Sequence, residues 1–207
     1  GFNPAFYNAS SVSVQQEKIN QNPHFVYLAY FAPNVIKVGI SQEKRGIRRL
    51  LEQGARLAIK LETFSSALIA RQYEAKISKL DGIAETLPVH KKIELIKQPF
   101  DRAAGERELR QKLLEIEQKI GVSFPKSELI PCEDYFQTAG VDLPRVVLMK
   151  DYSQLVGHVR SVIGSIVVTD YDGQLLAYNI KKLIGYRAQK VDEEIELDLP
   201  TEQLTLF

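Results

Sequence analysis

Residues 24–41 read HFVYLAYFAPNVIKVGIS. HFVYLAYF at 24–31 is rich in β-branched and aromatic side chains and runs into Ala32-Pro33-Asn34, a turn signal, after which VIKVGIS at 35–41 resumes the strand pattern. The stretch therefore predicts a β-hairpin. Downstream, QEKRGIRRLLEQGARLA at 42–58 sets Ile47, Leu50 and Leu51 at helical spacing with Gly54 as the stop signal. Residues 59–65 supply a third strand, and SALIARQYEAKISKLDG at 66–82 a helix with Leu68, Ala70, Tyr73, Ile77 and Leu80 on its apolar side. The order β-β-α-β-α is a compact α/β unit, assigned to residues 24–98.

Working outward, residues 1–23 are rich in Asn, Ser and Gln without a sustained period and read as an irregular segment closed by Pro23. From Val89 to Ile120 a charged stretch carries a helical pattern over its second half, broken at Pro99 and stopped at Gly121; residues 99–125 are a helical connector. Apolar segments near 143–149, 155–159, 161–169 and 175–180, with Asp172-Gly173 as a hairpin turn, predict a small β-barrel-like module over 126–190, of SH3-like or OB-like size. The expected class is α+β. Residues 191–207 form an acidic tail.

With 207 residues, 44% hydrophobic and 26% charged, the chain has a globular balance and room for one large or two small domains. Its longest apolar stretch, FVYLAYFAP at 25–33, is far below the roughly 20 residues a membrane span needs. The first residues lack both an initiator Met and a signal-peptide pattern, so a trimmed N-terminus is expected. A lone cysteine, Cys132, permits no internal disulfide and fits a reducing, cytoplasmic setting; without an evident base partner it reads as a packed thiol. His24, His90 and His158 are too scattered for a metal triad. The net charge of +1 hides an uneven distribution: residues 1–100 carry 14 basic against 8 acidic side chains, 101–190 carry 13 against 12, and 191–207 carry six acids and no base.

Basic residues concentrate at Lys37, Lys44, Arg45, Arg48, Arg49, Arg56 and Lys60, and on a helix Arg45, Arg48, Arg49 and Glu52 share a face. Such a run alone serves equally well as a solvated surface. The order of hairpin, Arg-bearing helix and Glu74 on the next helix resembles the GIY-YIG nuclease superfamily over residues 24–82, and KVGIS followed by LLEQGA looks like one branch of it. In that resemblance Val26-Tyr27 stand for GIY and Lys37-Val38-Gly39 for YIG, with Lys37 where many active members carry a Tyr. The resemblance implies a DNA endonuclease dependent on magnesium or manganese. Glu74 is then the metal-binding carboxylate, Arg49 (or its neighbours Arg48 and Arg45) the phosphate-binding arginine, Tyr27 the base or orienter, and Lys37 a charge-stabilising neighbour. Gly39, Lys44, Arg45, Arg48 and Arg56 are the expected DNA-contacting residues. A non-catalytic nucleic-acid-binding adaptor with the same fold is the alternative.

The tail ends in Gln203-Leu204-Thr205-Leu206-Phe207. QLTLF resembles the QL(S/D)LF pentapeptide by which bacterial replication and repair proteins dock on the sliding clamp, which implies Gln203, Leu204, Leu206 and Phe207 as the docking residues. A role in repair or replication, near the nucleoid, follows as an expectation.

Overall fold

The computed structural model describes residues 13–150 and 152–191. Within the segment expected to be irregular, Val14–Asn20 forms a helix, α1, because Ser13 caps it by accepting from the Gln16 N–H at 3.2 Å. The Gln42 carboxamide holds its far end, donating to the Ile19 carbonyl at 3.2 Å.

The predicted hairpin is present as β1 (His24–Ala32) and β2 (Val35–Gln42), and every residue of β1 is buried. Strands β3 (Leu57–Phe64), β4 (Ile83–Ala84) and β5 (Glu128–Ile130) complete a five-stranded sheet in the order β4-β2-β1-β3-β5, with β1 central. A strand covered on both faces must be apolar on both, which is why β1 reads as a continuous hydrophobic run. Val26, Leu28 and Tyr30 pack toward helices α3 (Ala67–Ile77) and α5 (Arg102–Ile120), meeting Ala70, Ile77, Leu109 and Ile116. Phe25, Tyr27, Ala29 and Phe31 face the other way. They meet Leu50 of α2 (Arg48–Gln53), Ile93 and Ile96 of α4 (Val89–Ile96), and residues of a second sheet.

That second sheet comprises β6 (Val147–Leu148), β7 (His158–Ile163), β8 (Ile166–Tyr171) and β9 (Gln174–Asn179), in the order β6-β9-β8-β7. It is the small β module expected, an open four-stranded sheet and not a closed barrel, and its Ile163, Ile166, Val168 and Ala177 share a core with β1. The Asp172-Gly173 turn stands where the sequence puts it. The apolar run 161–169 is two strands rather than one, because Gly164 at φ +62° turns the chain. β5, although its residues fall in the stretch assigned to the β module, extends the first sheet by pairing with β3.

Two helix boundaries also differ from the pattern. Over 42–58 the structure has a 3-10 turn (Glu43–Arg45), a break at Gly46, and only six residues of α2 before Gly54, at φ +71°, ends it and releases the chain into β3. Helix α3 stops at Ile77 and buries Ala67, Ala70 and Ile77, leaving Leu68 59% exposed rather than on the apolar side. The charged stretch 89–120 is helical on both sides of Pro99, as α4 and α5. The fold is α+β, and among the described residues no helix is long and apolar enough to cross a membrane.

Candidate functional site

Tyr27 lies opposite Gly39 in the β1–β2 register. Its ring fills the space a side chain at 39 would occupy: a Cβ there would sit 2.5 Å from the Tyr27 hydroxyl and 2.6 Å from Cζ. Gly39 is buried under that ring. Its expected DNA contact is thus replaced by an intramolecular reason for glycine, close approach of an aromatic neighbour. The Tyr27 hydroxyl is completely buried and has no hydrogen-bond partner among the described residues. Burial raises the phenol's pKa, and the Arg49 guanidinium only partly opposes this. Tyr27 therefore fits an orienting role better than a general base.

Arg49 is set by the first turn of α2. The Gln53 carboxamide faces the Arg49 guanidinium; assigned with its oxygen rather than its nitrogen toward Arg49, as the donors there require, it accepts at 2.9 and 3.3 Å, and the Glu52 carboxylate lies 3.9 Å away. Arg49 Nε is buried without a partner, a second unsatisfied polar atom beside the Tyr27 hydroxyl. Each falls short of a well-formed hydrogen bond, although the Arg49 guanidinium lies close enough to the Tyr27 hydroxyl to stabilise its oxygen through a side-chain contact. Of the three candidate arginines, Arg45 is ion-paired to Glu52 and Arg48 is exposed. Arg49 is the one whose charge acts on Tyr27, Lys37 and Glu74 together.

Lys37 projects from β2, donating to the Val38 carbonyl at 3.2 Å. Burial lowers its pKa; the Glu74 carboxylate opposes this, the Arg49 guanidinium adds to it, and the Glu85 carboxylate opposes it more weakly. Glu74 comes from the middle of α3; burial raises its pKa, opposed by Lys37, Arg71 and Arg49. Glu85 reaches the same field because Ala84 pairs with Lys37 in the parallel β2–β4 register. The four predicted residues thus form one electrostatic cluster. A wide cleft of about 1520 Å3, between Tyr152–His158 and Lys182–Val191 on the second sheet, is lined by none of them.

Lys44 and Arg48 are exposed beside the cluster. Arg56 is not available to a ligand: it is 3% exposed, donates to the Ile96 and Gln98 carbonyls at 2.5 and 2.9 Å, stacks over Phe100 and faces Glu133. Its expected DNA contact is corrected to a brace between β3 and the end of α4. Gln203, Leu204, Leu206 and Phe207, the residues expected to dock on a clamp, lie outside the described residues.

Lys92 of α4 is a member of the cluster that the sequence reading missed. It is 7% exposed, and its ammonium donates to the Gln53 carbonyl at 2.6 Å. Burial, followed by the charges of Lys181, Lys37 and Arg49, brings its pKa from 10.5 to about 7. The signal was present: Val89, Lys92, Ile93 and Ile96 are spaced i, i+3, i+4 and i+7, so Lys92 sits on the apolar stripe.

Among the described residues there is no group of three or more His, Cys, Asp or Glu side chains that could enclose a metal. Glu74 alone in the cluster suits only a cation content with one or two carboxylates and otherwise water, which is the habit of magnesium.

Residues 11–188, spanning both sheets, match the family model described as "Protein of unknown function (DUF2797)", and the chain belongs to that family. No curated protein and no solved structure matches it.

Proposed function

We propose that the protein is a DNA endonuclease of GIY-YIG type, dependent on magnesium or manganese. The observation that carries this reading is that Tyr27, Lys37, Arg49 and Glu74, from β1, β2, α2 and α3, act on one another electrostatically as one cluster. Arg49 binds two non-bridging phosphate oxygens, a planar two-point contact that lysine does not make. Lys37 sets a second positive charge beside the phosphate, where negative charge grows as water attacks and the leaving oxygen departs. Tyr27, kept protonated by burial, offers its hydroxyl oxygen to the Arg49 guanidinium, which donates, and so helps fix the geometry around Arg49. Glu74 would hold the cation, which when bound supplies charge stabilisation for the leaving oxygen and makes water more acidic. Lys44 and Arg48 guide the flanking strand by contacts to its phosphates.

Incubation with branched, single-stranded and double-stranded DNA in magnesium or manganese tests the reading. Cleavage by the wild type that disappears in Glu74→Ala supports it. Binding without cleavage of any substrate favours the non-catalytic adaptor, for which the surplus of cations around Arg49 is sufficient. We further propose, from the sequence of the tail, recruitment to a bacterial sliding clamp through Gln203, Leu204, Leu206 and Phe207, which would place the protein with replicating or repaired DNA in the cytoplasm.

A further inference from the structure

We propose that Lys92 is a positioning residue for Arg49, tethering the end of the short helix that carries it. The proposal rests on the reading of Arg49 as the phosphate-binding arginine. Helix α2 has six residues, too few to define its own position, so what grips its ends sets where its side chains point. At its C-terminal end the Lys92 ammonium donates to the Gln53 carbonyl at 2.6 Å, a cation on a terminal helix carbonyl. The side chain of that same Gln53 accepts from Arg49 at 2.9 and 3.3 Å. One residue therefore connects the two cations, through its backbone on one side and its carboxamide on the other. The second sheet closes the grip: a Cβ at Gly164 would lie 2.7 Å from the Gly54 nitrogen and 3.0 Å from the Glu52 carbonyl, so the β7–β8 turn is pressed against the helix end.

For packing alone, an ammonium is a poor choice at this place. Its described surroundings are the Gln53 carbonyl, the Phe31 ring at 5.0 Å, and three further cations, Lys37 from β2, Arg49 from α2 and Lys181 from the 3-10 turn at 180–183. An apolar side chain would fill the position at lower cost. What the ammonium adds is a strong, directed bond to a carbonyl that fixes Gln53. Because burial and those cations bring it close to neutrality, the tether changes from a charge-assisted bond to a weaker neutral one as pH rises through about 7.

The test uses the full chain, 15N-labelled, with the Arg49 Nε–H signal assigned by its loss in Arg49→Lys. In the wild type the protection of this proton, the slowing of its exchange relative to that of a free guanidinium at the same pH, is high at pH 6 and falls by pH 8. In Lys92→Met the proton exchanges about tenfold faster at pH 6, as expected when a neighbouring anchor is released. Lys92→Arg, whose guanidinium does not titrate, restores slow exchange and abolishes the pH step. In the cleavage assay the wild-type rate is expected to fall above pH 7 as the tether weakens, and Lys92→Met lowers the rate about ten- to hundredfold, the scale of a misplaced catalytic group, without that fall. An Arg49 signal that is identical in wild type and Lys92→Met at both pH values overturns the proposal. A wild type that cleaves no DNA while the Arg49 signal responds to Lys92→Met overturns the nuclease reading and leaves the positioning role standing.

Discussion

Replacing Lys92 by Met removes a buried ammonium while keeping the length of the side chain, and its effect on stability depends on pH in a direction fixed by the shift. The folded-state pKa is about 7, below the 10.5 of the unfolded chain. Below pH 7 the group is protonated in both states, and the cost of burying the charge is fully expressed. Between about 7 and 10.5 the unfolded chain binds the extra proton, so wild-type stability rises with pH. Each step of one pH unit in that window is worth at most about 1.4 kcal/mol, which caps the whole effect at about 5 kcal/mol. Water penetration and relaxation reduce the realised penalty, and loss of the bond to the Gln53 carbonyl offsets about 1–2 kcal/mol of the gain. Lys92→Met is therefore expected to be about 1–3 kcal/mol more stable than the wild type at pH 6, with the advantage vanishing or reversing by pH 10. Urea denaturation of both proteins at pH 6, 7, 8, 9 and 10 reads the difference directly and cancels the other titrating groups. Parallel curves across that range, or a variant several kcal/mol less stable at pH 6, would refute the reasoning.

Gly39→Ala should cost about 1–3 kcal/mol through collision with the Tyr27 ring, and thermal denaturation should show much of the loss recovered in the Gly39→Ala, Tyr27→Ala pair beyond simple additivity. Arg56→Ala should lower stability by about 3–5 kcal/mol by stranding Glu133 and two carbonyls, yet the folded fraction should bind DNA with wild-type affinity in a fluorescence anisotropy titration. Leu206→Ala combined with Phe207→Ala should abolish binding to purified sliding clamp without changing DNA affinity, as measured by surface plasmon resonance.

The hairpin and the order of elements through α3 were legible because β1 is covered on both faces and each of its neighbours carries its own period. The stop of α2 at Gly54 was legible too, but its late start was not, since Gly46, at positive φ, interrupts a pattern that is helical in its apolar spacing. The placement of Tyr27, Lys37, Arg49 and Glu74 in one electrostatic field follows from strand register and helix packing, which a one-dimensional pattern does not contain. Two cations that look like surface charge are both buried, for the same reason. Arg56 looked like part of an exposed basic run but sits inside, and Lys92 looked like surface charge although its spacing put it on the buried stripe of α4. The second sheet was expected as a separate module, and its packing against the Tyr27 face of β1 could be read only in three dimensions.

The most direct test of the central claim is the rate of phosphodiester cleavage on a panel of branched and linear DNA substrates with magnesium or manganese, for the wild type beside Glu74→Ala and Arg49→Ala. The account predicts metal-dependent cleavage by the wild type that falls by at least about a hundredfold in each variant while both remain folded. Cleavage that persists undiminished in Glu74→Ala, or its absence from the wild type on every substrate, would contradict it.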